Sequence, residues 1–193
     1  MLKDLIRKNR SYRRFDQGVS VKMQTLRELV SLARLSASAA NRQPLKYVLS
    51  CDPDTNAQIF PHTRWAGYLQ DWGGPAEGER PTAYIVILGD TEISKSFGCD
   101  HGIAAQSMML GAAEKDLGGC MVGALDRGAL RQTLSIPERY EILLVLALGK
   151  PAEAVVVEDA DDAGGVKYYR DEEDVHHVPK RPLDELILKV YGD

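Results

Sequence analysis

The sequence has few cysteines, no long apolar run and no excess of positive charge, and each absence excludes a class of protein. Its three cysteines, Cys51, Cys99 and Cys120, are an odd number without CxxC spacing. That usage predicts reduced, buried thiols and not a disulfide framework. The net charge of −4 argues against a nucleic-acid-binding surface. No apolar run reaches the roughly 20 residues that a membrane helix requires, so we expect no membrane partner.

Three further signals are missing. The N-terminal stretch MLKDLIRKNR carries Asp4 and lacks the apolar region of a signal peptide, so we expect a cytoplasmic protein. No G-x-G-x-x-G motif follows a candidate strand, which argues against a Rossmann dinucleotide site. In CDHG, the adjacent Cys99, Asp100 and His101 have poor geometry for metal ligands, so this stretch predicts a helix start and no metal site.

The residues that are present indicate one domain, 1–193, in which helices and strands alternate irregularly. Hydrophobic periodicity predicts helices over 2–9, 25–35, 102–119 and 182–192, and strands over 45–51, 82–90, 120–125 and 140–151. Small and apolar residues on nearly every side of 102–119 predict a helix that is buried all round. This order of elements predicts an α+β fold with a mixed sheet.

Two long segments lack a periodic pattern. Residues 52–80 are rich in proline and glycine, yet they contain Trp65, Tyr68 and Trp72. Because aromatic side chains are costly to leave in water, this loop is expected to fold over something, as a lid or as a subunit contact. Residues 153–181 show no helical pattern and contain the polar connector EDADDAGG. We expect this tail to reach across to a partner subunit.

Four short segments place polar or cationic groups at the ends of predicted elements. They are RSYRRF (10–15), SASAANRQP (36–44), CMVGAL (120–125) and VPKRPL (178–183). In this order they resemble the nitroreductase family of FMN-dependent oxidoreductases, through R-S-x-R-x-F, S-x-S-x-x-N-x-Q-P, G-G-C-x-x-G and K-R-P-L. The resemblance implies a mixed sheet flanked by helices, an intertwined homodimer, FMN at the two interface sites, and NADH or NADPH as electron donor.

The arginines of RSYRRF are of the type that binds a phosphate. A phosphate prefers bidentate guanidinium contacts, and Arg10 and Arg13 can converge on one anion if the chain turns around it. By the resemblance, the phosphate and ribityl contacts come from Arg10, Ser11 and Arg13, with Lys180 or Arg181 closing the site. Arg14 is expected at the surface, because it points away from Arg13 in an extended backbone. The alternative is that the cluster is only a solvated face.

The second segment matches residues that hold the flavin ring. The resemblance assigns Ala37, Ser38 and Ala39 to the site of the other subunit, although Ala37 stands where the family usually has proline. Asn41 matches an amide that binds the polar edge of the flavin, since an amide both donates and accepts. Alternatively, Asn41 caps the turn before Pro44.

The third segment matches the loop that faces the flavin's central nitrogen. There a backbone N–H near Val122 and Gly123 would point at N5, so we expect no catalytic side chain. The alternative is an ordinary buried strand end. Substrate selection is expected at Trp65 and Tyr68, for which dimer packing is the other interpretation.

Two details of the cationic segments leave questions open. Asn9 stands where many family members have a second basic residue, and Lys8 or the Lys180–Arg181 pair could compensate. His176 and His177 adjoin the basic tail, where exposed loop histidines are the ordinary expectation.

The resemblance implies that hydride passes from NAD(P)H through flavin N5 to a nitroaromatic, quinone or similar acceptor by a ping-pong mechanism. One alternative is an FMN-binding carrier or redox sensor with little turnover. Another is a specialised flavoenzyme of the same fold, such as a dehalogenase or a flavin-modifying enzyme. Without the resemblance, the fallback is a dimeric anion-binding protein.

Overall fold

The computed structural model describes residues 1–160 and 165–192, which fall into two compact units. The first unit comprises Met1–Trp65 and Gly73–Ala152, and the second comprises Ala66–Trp72 and Glu153–Asp193. Part of the predicted connector EDADDAGG, residues 161–164, lies outside the described residues. That the whole chain works as one domain whose tail embraces a partner stays a prediction.

The first unit contains five helices and five strands among the described residues. In chain order they are α1 (Leu2–Lys8), β1 (Phe15–Asp16), α2 (Met23–Leu35), β2 (Leu45–Ser50), α3 (Pro53–Ile59), β3 (Ala83–Asp90), α4 (Asp100–Glu114), β4 (Gly118–Val122), α5 (Arg127–Thr133) and β5 (Tyr140–Pro151). The predicted helices at 2–9 and 25–35 and the strands at 45–51, 82–90 and 140–151 are confirmed. The helix predicted over 102–119 ends earlier, because the chain enters β4 at Gly118.

Helices α3 and α5 are absent from the sequence-based prediction. Both are short, and each begins at an aspartate: Asp52 accepts a hydrogen bond from the Thr55 backbone N–H at 2.8 Å, and Asp126 accepts one from Ala129 N at 3.0 Å. Pro53 follows the first of these caps, in the first helical turn where proline is favoured. Aspartate and proline also favour turns, so the sequence pattern of 52–80 does not distinguish this helix start from a loop.

Strand β5 is the centre of the main sheet. It pairs antiparallel with β3 on one side, and β2 pairs with β3 beyond it. On its other side β5 pairs with both β4 and β1, which lie one after the other along the same edge. The segment before β1 therefore runs beside β4, and Ser11 forms a parallel bridge with Gly119.

The main sheet carries apolar side chains on both faces. All eight residues of β3 are buried, as the apolar run predicts. One face of the sheet is covered by α2 and α4, and the other by α3 and α5. Helix α4 is not buried all round in the single chain: Ile103 and Gln106 are exposed, and Ser107 and Leu110 are partly exposed. These four residues share one face because they are spaced three and four apart, so the prediction is wrong for that face.

The second unit contains β6 (Val155–Asp159), β7 (Tyr169–Arg170), β8 (His176–Lys180) and the short helix α6 (Leu183–Leu186). Strand β8 lies between β6, to which it is parallel, and β7, to which it is antiparallel. The described part of 153–181 contains no helix, as predicted, but its strands are absent from the sequence-based prediction. The predicted C-terminal helix over 182–192 is confirmed only in α6.

No helix in the part of the chain that the structure describes has both the length and the apolar character needed to cross a membrane.

Candidate functional site

The segment RSYRRF is held against the beginning of β4. The Tyr12 backbone N–H donates to the carbonyl oxygen of Gly119 at 2.9 Å, next to the Ser11–Gly119 bridge. A Cβ atom at Gly118 would lie 2.4 Å from Tyr12 Cδ2, so only glycine allows the Tyr12 ring to come this close. The paired glycines of G-G-C-x-x-G thus position the arginine segment at the edge of the sheet.

Arg10 has donors available for an external anion. Its Nη2 donates to the Ile6 carbonyl oxygen at 2.6 Å, but its Nε is buried and has no hydrogen-bond partner within residues 1–160 and 165–192. Buried N–H groups almost always have a partner in folded proteins. The orphaned Nε therefore indicates an acceptor from outside the described chain, and a phosphate oxygen fits this requirement.

The neighbouring arginines differ from one another. Arg13 is partly buried, and its Nη1 donates to the Ser11 carbonyl oxygen at 3.2 Å, which folds its side chain back along the segment. Arg14 is also partly buried, and its Nε lies 3.5 Å from Glu79 Oε2. The prediction that Arg14 is a surface residue is therefore wrong: it forms an ion pair at the edge of the sheet. Phe15, directly after it, is fully buried.

Lys8 is already engaged. Its ammonium group pairs with the Asp116 carboxylate, and this contact lowers the pKa of Asp116 below its usual value. Asp116 has a left-handed backbone with φ of 56° at the end of α4. Lys8 thus ties α1 to α4 and is not available to replace the basic residue that Asn9 lacks.

The loop SASAANRQP is held by a buried carboxylate that no sequence motif marks as functional. Asp100 is 3% exposed, and it accepts hydrogen bonds from Ser38 Oγ at 2.6 Å and from the Ala39 backbone N–H at 3.0 Å. Ser38 Oγ also accepts from the Gln43 backbone N–H at 3.0 Å. The helix start predicted at CDHG is confirmed, and the first residue of α4 is the one that fixes the loop.

The backbone of this loop is strained. Ala40, Asn41 and Gln43 have φ values of 52°, 52° and 51°. A non-glycine residue in the left-handed region costs on the order of 1–3 kcal/mol, and such residues concentrate at functional sites. Asn41 is exposed, and its Oδ1 accepts from Gln43 Nε2 at 3.1 Å. In the described chain its side chain accepts no backbone N–H, which counts against the alternative of a simple turn cap.

The loop and the arginine segment lie apart within one chain. Gly119 pairs with Ser11, and a Cβ atom at Gly119 would lie 3.2 Å from Met109 Cε. Ser38, in contrast, is hydrogen-bonded to Asp100 at the beginning of α4. Asp100 and Met109 are separated by nine helical positions, or about 13 Å along the axis. Ala37, Ser38, Ala39 and Asn41 are therefore not brought to Arg10 of the same chain.

The end of β4 and Trp65 do come together. Val122 is buried, whereas Gly123 is exposed, and a Cβ there would meet only Leu144 Cδ1 at 3.9 Å. The Arg64 backbone N–H donates to the Ala124 carbonyl oxygen at 3.0 Å, so the chain leading to Trp65 runs along this loop. Trp65 is partly buried, and its Nε1 donates to Thr63 Oγ1 at 2.9 Å.

Three of the predicted site residues belong to the second unit. Tyr68 is 55% exposed, and its ring lies 4.9 Å from the ring of Tyr168. Lys180 is exposed at the end of β8, and Arg181 Nη1 lies 3.1 Å from Glu185 Oε2. The participation of Tyr68, Lys180 and Arg181 in a site with Arg10 stays a prediction.

The cysteine and histidine predictions need correction. Cys120 is buried and Cys51 is partly buried, but Cys99 is exposed, so the prediction of three buried thiols is wrong for Cys99. His176 is fully buried in β8 and not an exposed loop histidine. Within the described ranges, no group of three or more His, Cys, Asp or Glu side chains could hold a metal ion.

The fold and this site define an α+β protein with a cationic segment at a sheet edge, open to an anion from outside the described chain. A family model described as the nitroreductase family matches residues 6–68 and 79–150. The chain therefore belongs to the nitroreductase family, as its motifs predict.

Curated and solved relatives agree with this assignment. A protein of Archaeoglobus fulgidus, named as a candidate NADH dehydrogenase/NAD(P)H nitroreductase, is 24% identical over 147 residues, or 72% of this chain and 79% of the relative. A nitroreductase family protein from Streptococcus pneumoniae TIGR4 superposes with a TM-score of 0.72 at 18% identity, covering 98% of this chain and 100% of that one.

Two further structures carry more specific names. An FMN-dependent nitroreductase from Clostridium difficile R20291 gives a TM-score of 0.64 at 21% identity, over 82% of this chain and 91% of that one. The NADPH:FMN oxidoreductase from Vibrio harveyi, complexed with NAD+, gives 0.62 at 21% identity, over 78% of this chain and 69% of that one. These likenesses confirm the predicted nitroreductase fold.

Proposed function

We propose that this chain is an FMN-dependent oxidoreductase that takes hydride from NADH or NADPH and passes it to a nitroaromatic, a quinone or a similar acceptor in two successive half-reactions. Family membership supports the proposal, as do the names of the similar structures, which include an FMN-dependent nitroreductase and an NADPH:FMN oxidoreductase. The observation that carries it is the buried Nε of Arg10, which has no acceptor in the described chain.

The residues of the arginine segment fit the phosphate of FMN. Arg10 offers its orphaned Nε, Arg13 lies three positions further on, and the exposed Ser11 offers a hydroxyl beside them. Guanidinium groups bind phosphate with paired, charge-assisted hydrogen bonds that a lysine does not reproduce. When bound, FMN supplies reversible hydride transfer through its ring.

The end of β4 fits the ring itself. The open space at Gly123 admits a flat group close to the backbone, and Val122 and Gly123 need contribute only main-chain N–H groups. No acid–base side chain is required of the protein under this proposal. Trp65, on the chain that runs along this loop, is the residue of the first unit that we assign to acceptor selection.

A second copy of the chain completes the site in this proposal. The loop 37–41 lies far from Arg10 of its own chain, yet its strained conformation is firmly held by Asp100. The open face of α4 around Ile103 and Gln106 offers a surface for a partner. In the homodimer, each loop would reach the arginine segment of the other copy. We also propose the cytoplasm as the compartment, where free thiols such as these three persist.

The proposal is tested by anaerobic spectroscopy of purified protein loaded with FMN. Adding NADH or NADPH should bleach the visible flavin band, and a nitroaromatic or quinone should restore it. Double-reciprocal plots of initial rate against nicotinamide concentration, at several acceptor concentrations, should give the parallel lines of a ping-pong mechanism. A protein that takes up no FMN would contradict the proposal.

The other outcomes separate the alternatives. Bound flavin that does not bleach with either nicotinamide would favour a carrier or redox sensor. Rapid bleaching with feeble turnover on nitro compounds and quinones would favour a specialised enzyme of the same fold.

A further inference from the structure

A cavity lies in the first unit, at the beginning of β3. Its volume is about 150 Å³, at least ten times the roughly 10–15 Å³ that one water requires. Its lining includes Gln17, Ser20, Asn56, Phe60, Arg80 and Tyr84. None of the residues assigned above to the phosphate or to the ring lines it, so it is separate from the proposed flavin site.

Two hydrogen-bond donors at this cavity have no partner. The hydroxyl group of Tyr84 is buried and unbonded within the described residues, and the whole side chain is 1% exposed. Burial raises the pKa of Tyr84, so the phenol stays protonated and available as a donor. The Nε of Arg80 is likewise buried without a partner in the described chain.

The charge of Arg80 is also unmatched. Its guanidinium carbon lies 4.5 Å from the centre of the Phe60 ring, and none of its nitrogens forms an ion pair with a described carboxylate. A positive charge over an aromatic face gains a modest attraction, which does not replace an anionic partner. Arg80 and Tyr84 lie close enough for the arginine charge to act on the phenol.

Two further polar side chains at the cavity are engaged by the protein. Asn56 donates to the Thr82 carbonyl oxygen at 2.8 Å and accepts from Ser50 Oγ at 2.7 Å. Gln17 Oε1 accepts hydrogen bonds from the backbone N–H groups of Gly78 at 2.8 Å and Arg80 at 3.1 Å. These bonds fix the backbone from which the Arg80 side chain extends. The wall therefore offers the Arg80 cation, two buried donors without a partner in the described chain and the exposed Ser20 hydroxyl, beside several apolar side chains.

We propose that this cavity binds a small monocarboxylate with a flat apolar body. A carboxylate carries one negative charge and two acceptor oxygens, which match the Arg80 Nε and the Tyr84 hydroxyl. Phe60, Pro81, Pro53 and Ala57 provide apolar walls for the rest of the molecule. A phosphate dianion suits the site less well, because it would lie against a single cation and several apolar groups.

The test is calorimetric titration of the full chain with benzoate, with and without FMN. One benzoate should bind per chain in both conditions, and Arg80→Gln should weaken binding by roughly 10- to 100-fold, the range for hydrogen bonds to charged groups. Tyr84→Phe should weaken it by roughly tenfold on the same basis. The exposed Arg27, on α2, offers the matched control: Arg27→Gln makes the same change of charge and should leave benzoate binding unchanged.

Two further titrations separate the contribution of the ligand's charge from that of its apolar body. Benzamide has the same body without the charge, and inorganic phosphate has charge without the body, so both should bind at least roughly tenfold more weakly than benzoate. In a Trp72→Phe background, benzoate should also change the fluorescence of Trp65, whose ring centre lies 6.1 Å from that of Phe60. This readout stays usable with Tyr84→Phe if Arg80→Gln fails to fold.

Three results would overturn the proposal. The first is the absence of saturable benzoate binding to the wild-type chain. The second is unchanged binding to folded Arg80→Gln protein. The third is binding that Arg10→Gln abolishes and Arg80→Gln leaves intact, which would place benzoate at the proposed flavin site. Failure of FMN uptake alone would contradict the proposed function but leave this cavity's assignment standing.

Discussion

The two units of the chain are stabilised by different interactions. In the first unit, every residue of β3 is buried, and β5 is packed between helices on both faces of the sheet. In the second, Val156 and Val157 of β6 remain 42% and 44% exposed, and the most deeply buried side chain of the strands is His176. Apolar burial is non-directional and scales with area, so the first unit should tolerate changes of pH and salt.

Directional polar contacts hold the second unit instead. Arg170 Nη2 lies 2.9 Å from Glu153 Oε2, and the Arg170 guanidinium carbon lies 4.5 Å from the Trp72 ring centre. His177 lies between Glu158 and Asp171 and stacks on Tyr169 at 4.7 Å. Charged contacts of this kind depend on protonation state and ionic strength. Each unit should therefore lose stability under different conditions.

The largest expected effect comes from truncating the core of the first unit. Leu146 of β5 is fully buried, and Leu146→Ala should lower the free energy of unfolding by about 2–5 kcal/mol through lost burial and a cavity. The matched change in the second unit, Val157→Ala at a half-exposed position, should cost within about 0.5 kcal/mol. Urea unfolding followed by circular dichroism measures both. Comparable losses would show that the second sheet also depends on apolar burial.

The next effect compares two residues that the family resemblance assigns to the phosphate, Arg10 of the first unit and Arg181 of the second. Arg10→Gln should weaken FMN binding by roughly 10- to 100-fold, because it removes a charge-assisted hydrogen bond. Arg181→Gln should weaken it less, by roughly threefold, since Arg181 already meets Glu185 at 3.1 Å and exposed charges are well screened. Quenching of free FMN fluorescence gives both affinities. A larger loss with Arg181→Gln would assign the phosphate mainly to the C-terminal segment.

Strong apolar patterns made most of the first unit predictable from sequence. The β-branched run at 82–90 and the spacing of Leu26, Leu29 and Ala33 each correspond to one element and one buried face. The four family motifs also predict the segments around Arg10 and Asn41 as parts of a flavin site, and that assignment stays a prediction. These signals are local, because the residues that carry them are neighbours on one strand, helix or loop.

The parts that were missed depend on contacts between distant residues. Asp100 fixes the loop at Ser38 only after α4 and the loop have met, and nothing in CDHG marks its carboxylate as buried. The strands of the second unit contain polar residues such as His177 and Lys180, so they show no apolar alternation. The sequence also does not predict the exposed face of α4 at Ile103 and Gln106, because a helix of small residues has almost no amphipathic pattern.

A third prediction tests polar control of one loop in the first unit, whose core is mainly apolar. Asp100→Asn keeps the shape of the side chain but weakens the hold on Ser38 and Ala39, so amides of 38–43 should exchange faster by roughly tenfold. In the proposed dimer, FMN affinity should also fall several-fold, because the strained loop would populate its required conformation less often. Hydrogen exchange by mass spectrometry and FMN titration provide the two measurements.

Asp126 offers the matched control for this change. It caps α5 by accepting from the Ala129 N–H at 3.0 Å, and Asn is as good a cap as Asp. Asp126→Asn should therefore leave both the exchange of 38–43 and FMN affinity unchanged. Unaltered exchange in Asp100→Asn would mean that the backbone holds this loop without the carboxylate.

The smallest expected effect is a difference in how the two units respond to pH. Hydrogen bonds that His177 donates to Asp171 and then to Glu158 raise the pKa of His177 above its usual value. A histidine whose folded pKa is raised contributes stability that is fully present below the unfolded pKa, near 6.5, and is lost as pH rises through the folded value. In the first unit, the two hydrogen bonds that Arg139 donates, at 2.8 and 2.6 Å, lower the pKa of the buried Asp90. The contribution of Asp90 to stability is therefore lost only in acid.

Raising the pH from about 6 to about 8.5 should therefore loosen the β6–β8–β7 sheet and leave β3 protected. Hydrogen exchange of 169–180 and 83–90, corrected for the intrinsic pH dependence of exchange, measures the two regions in one sample. His177→Gln should remove the change in the second unit, because glutamine does not titrate. The matched control is His62→Gln in the first unit, where His62 Nε2 lies 2.9 Å from Thr133 Oγ1 and faces no carboxylate in its described contacts. Two results would contradict this prediction: loss of the pH response of 169–180 in His62→Gln, or a simultaneous loss of protection in both regions. Either would mean that polar contacts do not stabilise the second unit selectively.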